Sequence, residues 1–155
     1  MFAPALFRNL QLHQQFFRRE CFESLGGLIP LPVGGWDAIT CVQARMNGFK
    51  TATFPDLIVD HLKPRNSAEG NLFRRYLYLG IRDYDLAYHP LFEVAKCCSR
   101  CLNYPLLIGA LAHLTGYVWA ASSGRKLSVP GEIVRYIRQE QLTRLRRAVS
   151  PWSLG

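Results

Sequence analysis

Apolar and polar positions change their rhythm twice along this chain. Residues 1–15 carry no clear period. Arg18 to Leu25 suits a short helix, and Gly26-Gly27 ends it, because glycine accepts the left-handed position past a helix C-terminus. Leu28 to Gly35 holds two prolines and two glycines and reads as a loop. From Asp37, apolar residues at Ala38, Cys41, Val42 and Met46 keep helical spacing, and Gly48 is the stop. The pattern then turns to period two. FKTATF (49–54) alternates as a strand, Pro55-Asp56 turns, and LIVDH (57–61) reads as a short buried strand. Pro64 to Gly70 is a polar loop.

After Gly70 the period is helical throughout. Asn71 to Leu86 mixes aromatics with arginines. Pro90 suits the first turn of a helix reaching Cys101, and Pro105 does the same for an apolar segment ending at Ala121. Pro130 opens a last helix to about Ala148, with Ile133, Ile137, Leu142 and Leu145 inward and the arginines outward. The expected fold class is therefore α/β turning to mostly α. Residues 1–64 form a helix–loop–helix–strand unit and residues 65–155 a helical region. No internal repeat is visible.

The apolar segment 105–121 contains only His113 and Thr115 as clearly polar residues. Its length is at the bottom of the roughly 17–25 residues a spanning helix needs. Tyr104, Tyr117 and Trp119 lie near its ends, and basic residues flank both sides, Lys96 and Arg100 before it and Arg125 and Lys126 after. Symmetric flanks favour a helix lying in a membrane interface, or one buried in the protein, over a true span. The basic amphipathic helix 130–148 fits the interfacial reading, and equally fits a solvated arginine face.

Composition narrows the classes. A chain of 155 residues with 49% hydrophobic and 19% charged residues can fold as one domain with a core. The net charge of +8 favours phosphates, nucleic acid or an anionic lipid surface. Nucleic acid is the weakest of these, because the arginines are not interleaved with a recognisable nucleic-acid motif. Five cysteines with no even spacing point to a reducing compartment, and no signal peptide is evident. Cys97, Cys98 and Cys101 on one predicted helix do not make a closed tetrahedral zinc site. P-loop, Gly-x-Gly-x-x-Gly and Gly-x-Ser-x-Gly motifs are all missing.

The stretches FRRECFESLGG, GGWD, ARMNGFKTATFPD and the closing His61 resemble the acceptor-side half of a family-2 glycosyltransferase. The resemblance continues through GIRDYDLAYHPLFEVAK and NYPLLIGALAHLTGYVWA to YIRQEQLTRLRR, covering most of the chain from Phe16 onward. It implies the C-terminal portion of an A-type nucleotide-diphospho-sugar transferase fold. The partial catalytic domain would occupy residues 1–64, with the nucleotide-binding half lying upstream. It further implies a nucleotide-sugar donor, an acceptor, and Mg²⁺ or Mn²⁺ in the complete enzyme. The expected location is cytoplasmic, on the inner face of the cell membrane, with an anionic membrane surface as partner and no nucleic acid. Without its nucleotide-binding half the isolated chain is expected to be inactive. The alternative is a non-catalytic fragment acting only as a membrane-surface or interaction module.

Within that resemblance Asp37 is the candidate general base, taking the proton from the acceptor hydroxyl as it attacks the anomeric carbon. The same residue stands where a helix N-cap would, and aspartate is a favoured cap. Where the family often carries an acidic pair, Ala38 follows here. Trp36 and Gly35 are candidate acceptor-binding residues, Trp36 through its ring and Gly35 through the loop backbone. His61 is the candidate metal ligand, with Asp60-His61 where relatives often pair two histidines. Arg74, Arg75 and Arg82 are candidates for diphosphate or lipid head-group contact, or otherwise a solvated helix face.

Overall fold

A computed structural model describes residues 15–52, 54, 72–100 and 106–149. Among these residues the chain forms six helices: α1 (Arg19–Ser24), α2 (Trp36–Met46), α3 (Leu72–Asp85), α4 (Pro90–Arg100), α5 (Leu106–Ser122) and α6 (Gly131–Val149). Glycine and proline set most of the boundaries. Gly26 and Gly27, both with positive φ, follow α1, and Gly48 follows α2 at φ +81°. Pro90 occupies the first position of α4, where its missing N–H leaves no helical hydrogen bond unmade.

The described residues contain no strand. The alternation in FKTATF predicts one over 49–54, yet residues 49–52 and 54 are irregular. Phe49 uses its N–H to close α2, donating to the Ala44 carbonyl at 2.9 Å. Phe54 is 67% exposed, so the alternating side chains have no face to bury against. The α/β expectation is thus corrected to mostly helical. The second expected strand (57–61) lies outside the described residues.

The helices form two packed groups. In the first, α2 and α6 enclose an apolar core of Leu31, Ile39, Val42, Leu86, Ala87, Val129, Ile133 and Ile137. The inward face of α6 runs Ile133, Ile137, Gln141 rather than continuing to Leu142 and Leu145, which are half-buried. Gln141 is drawn inward because its Oε1 accepts the His89 N–H at 2.7 Å. The His89 ring adds a second contact at the start of α4, its Nδ1 accepting the Leu91 N–H at 3.2 Å. An Arg45–Glu140 ion pair at 2.9 Å also ties α2 to α6.

The second group is α3, α4 and α5, and its dominant contact is α3 against α5. Two glycines explain how close that contact is. A Cβ on Gly80 would run into the His113 carbonyl oxygen, and one on Gly116 into the Leu77 carbonyl oxygen. The helices therefore touch backbone to backbone. The turn after α3 joins the two groups. Leu86 and Ala87 enter the apolar core, and Arg125 pairs with Asp85 at 2.9 Å. Ala87 holds φ 66° there, a left-handed position that its own N–H to Tyr84 and the Tyr88 N–H to Asp83 keep in place.

Candidate functional site

Two places carry chemistry. The first is the start of α2. Gly34 and Gly35 have φ +73° and +82°, conformations that L side chains rarely adopt, and they turn the loop into the helix. Gly35 also lies against Leu86, whose Cδ1 would stand 2.6 Å from any added Cβ. The role of Gly35 is thus a backbone one, seating α2 on the turn after α3. Trp36 opens the helix and is 46% exposed. Asp37 is the next residue and half-buried.

The alternative role for Asp37, a helix N-cap, is not what the structure contains. The N-cap is Gly35, no side chain caps the helix, and Asp37 lies inside the first turn. No described residue gives its carboxylate a hydrogen bond or an ion pair. Its backbone carbonyl accepts from Gln15 Nε2 at 3.0 Å, and Thr40 Oγ1 donates to the Trp36 carbonyl at 2.7 Å.

The other expected site residues are not gathered around Asp37. His61 lies outside the described residues. Arg74 and Arg75 are exposed near the start of α3. Arg82, on the last turn of α3, is half-buried, with its guanidinium 3.7 Å from Asp83 Oδ1. Its Nε is buried without a hydrogen-bond partner.

The second place was not foreseen as a unit. Asp83 of α3, Glu93 and Lys96 of α4 and His113 of α5 meet in the centre of the three-helix group, all buried. Lys96 Nζ donates to Asp83 Oδ2 and, at 2.6 Å, to Glu93 Oε2. His113 Nε2 lies 3.0 Å from Asp83 Oδ2 and 3.0 Å from Glu93 Oε1. The Tyr88 ring covers the ammonium at 4.8 Å.

The proton equilibria of this cluster follow from its geometry. Burial pushes the Asp83 carboxyl up, but the Lys96 charge and the His113 hydrogen bond outweigh it and hold Asp83 below the usual range. Burial works against the charged forms of Lys96 and His113. Asp83 and Glu93 overcome it, and both groups are held above their ordinary values. Around the cluster, burial and the neighbouring carboxylates push the Tyr88 hydroxyl and the Cys97 thiol up to about 12. The Lys96 ammonium thus bridges the two carboxylates, and the His113 ring contacts both of them.

Asp83, Glu93 and His113 have ligand atoms within 4.8 Å of one another, which is metal-ligand spacing. The donor set does not fit a divalent ion, because the Lys96 ammonium already bridges the two carboxylates. A dication there would have to displace a buried lysine. Among the described residues, then, none offers a place to the Mg²⁺ or Mn²⁺ that the resemblance implies, and no chemical step is assigned to a metal. The sequence did hold signals of this cluster. Glu93 and Lys96 are three apart on one helix, and His113 is an isolated polar residue in an apolar one.

No family model matches the chain, and no curated protein and no solved structure matches it either.

Proposed function

We propose that this chain is the acceptor-side portion of a family-2 glycosyltransferase, with Asp37 as general base and Trp36 as a platform for the acceptor. The observation that carries this reading is the pairing, at the start of α2, of a carboxylate that no described residue engages with an exposed aromatic ring. A base must have its lone pairs available to an incoming hydroxyl, and Asp37 spends none on a described neighbour. An exposed tryptophan face suits the apolar face of a sugar ring. The GGWD turn and the other stretches quoted above supply the family resemblance. The donor would be a nucleotide-sugar bound by residues other than those described here, and transfer would take place in the cytoplasm.

A single acid in the first turn of α2 favours a second reading, a non-catalytic interaction module. One assay separates the two. With the chain joined to a nucleotide-binding half, Asp37→Asn lowers turnover by roughly 10²–10⁴, the usual worth of a positioned general base, with the melting temperature unchanged. Near-normal turnover in that variant removes Asp37 from the chemistry and leaves the module reading.

A further inference from the structure

We infer that the outward faces of α4 and α5 form a docking surface for an anionic lipid bilayer, with α5 lying in the plane of the membrane. The inference does not depend on glycosyl transfer. It rests on an inversion of polarity in the three-helix group.

In a helix of a water-soluble protein the large apolar side chains face the core and the polar ones face water. In α5 the arrangement is reversed. Leu107, Ile108, Leu111, Val118 and Trp119 are 60%, 63%, 63%, 56% and 53% exposed. Their spacing puts them on one side of the helix. The opposite side is buried, and besides Tyr117 it carries Gly109, Ala112, His113, Gly116 and Ala120, which are small or ionisable. In α4 likewise, Leu91 is 62% exposed while Glu93 and Lys96 are sealed inside. Phe92 and Cys97 of α4 are buried as well, but on these two helices the large aliphatic side chains are outward and the ion cluster is inward. An exposed apolar surface built on this scale marks a contact site.

Charge and length identify the occupant. The chain carries a net charge of +8, and Arg74, Arg75 and Lys126 are exposed. Two copies meeting through this face would bring two such fields together, whereas an anionic headgroup layer is attracted by them. No helix of the described residues is long and apolar enough to cross a membrane. The 17 residues of α5 span about 25 Å, short of the roughly 30 Å hydrocarbon core. A helix in the plane of the interface, with its small and polar side turned to the protein, meets both conditions. Trp119 near one end suits the headgroup boundary. The apolar side of α6 is not available for this contact, because Ile133 and Ile137 are already in the core.

The test uses the full chain with vesicles of phosphatidylcholine alone and of an equimolar phosphatidylcholine–phosphatidylglycerol mixture. Co-sedimentation is expected with the anionic vesicles, weaker at high salt, and much less with the neutral ones. Leu111→Asp, at an exposed position, is expected to lower the partition coefficient roughly tenfold or more while leaving the circular-dichroism spectrum and melting point unchanged. With Trp36 and Trp152 replaced by Phe, Trp119 emission should shift to the blue on binding and be quenched by lipids brominated near the headgroup. Wild-type and Leu111→Asp chains that sediment alike would overturn the proposal, as would no sedimentation at all. A dimer in ultracentrifugation that Leu111→Asp dissociates, without vesicle binding, would overturn it in favour of a second copy. Vesicle binding together with near-normal turnover of the Asp37→Asn protein joined to a nucleotide-binding half leaves this inference standing and removes Asp37 from the chemistry.

Discussion

Replacing Lys96 by Met is the sharpest probe of the buried charge cluster. The substitution keeps most of the side-chain length and removes only the ammonium. Lys96, Glu93 and Asp83 are 0%, 0% and 2% exposed, so the two carboxylates left behind have no water to turn to and share only the His113 ring nitrogen. Removing one partner from a buried ion pair costs about 3–5 kcal/mol, because an uncompensated charge stays inside. For a chain of this size a loss of 1 kcal/mol lowers the melting temperature by about 2–4 °C, so a fall of about 6–20 °C is expected. Thermal melts followed by far-ultraviolet circular dichroism at about pH 7 would measure it. The sign of the pH dependence is also fixed. In the wild type the Asp83 pKa is depressed, so its contribution is present above its unfolded value of 3.8 and is lost only as the pH falls through the lower folded value. In Lys96→Met the largest attraction that lowers the Asp83 pKa is gone, so Asp83 takes up a proton at higher pH and the gap between the two proteins narrows in acid. The triple substitution Asp83→Asn, Glu93→Gln, Lys96→Met removes all three charges together and should recover most of the loss. A Lys96→Met protein melting within about 2 °C of the wild type at neutral pH would refute the reasoning, since the ammonium would then not be balancing the carboxylates.

Two further outcomes follow from the same helices. Gly116→Ala drives a methyl group into the Leu77 backbone and should cost roughly 1–3 kcal/mol or more, read as a lower urea midpoint with an unchanged slope. The His113 pKa is raised in the folded state, so its contribution is complete below its unfolded value of 6.5 and is lost as the pH rises through the folded one. Urea midpoints should therefore decline above that value in the wild type, and His113→Gln should flatten the decline.

The helices were legible because glycine and proline punctuate them. Gly26, Gly48, Pro90, Pro105 and Pro130 bracket α1, α2, α4, α5 and α6 to within one or two residues. Other features were not legible, for separate physical reasons. Strand character at FKTATF depends on a partner, and local alternation does not supply one. The start of α2 was misplaced by two residues because aspartate is a strong cap former, whereas a left-handed glycine does the work here. The direction in which α5 faces could not come from its hydropathy, since nearly every residue is apolar. The small residues Gly109, Ala112, Gly116 and Ala120, with His113 and Tyr117, line its buried side. Lys96 looked like a basic flank of the apolar segment, and it is instead the centre of the ion cluster. That cluster draws residues from three helices, so no contiguous motif announces it. Of the candidate site, the GGWD turn was legible as a sequence. That no described residue engages the Asp37 carboxylate was not, because it depends on which neighbours the fold brings near.

The ion cluster also bears on the order in which the chain folds. Its members are close in sequence: Lys96 is 13 residues from Asp83, and His113 is 30. The Arg45–Glu140 pair that ties α2 to α6 closes a separation of 95. Loop-closure entropy makes the longer closure about 1 kcal/mol more costly than the 30-residue one, before any contact rewards it. The three-helix group is thus the part of the chain that forms from near neighbours, and the α2–α6 core is the part that waits for distant ones. On that account the outward apolar face of α5 is already in place while α6 is still finding its partner.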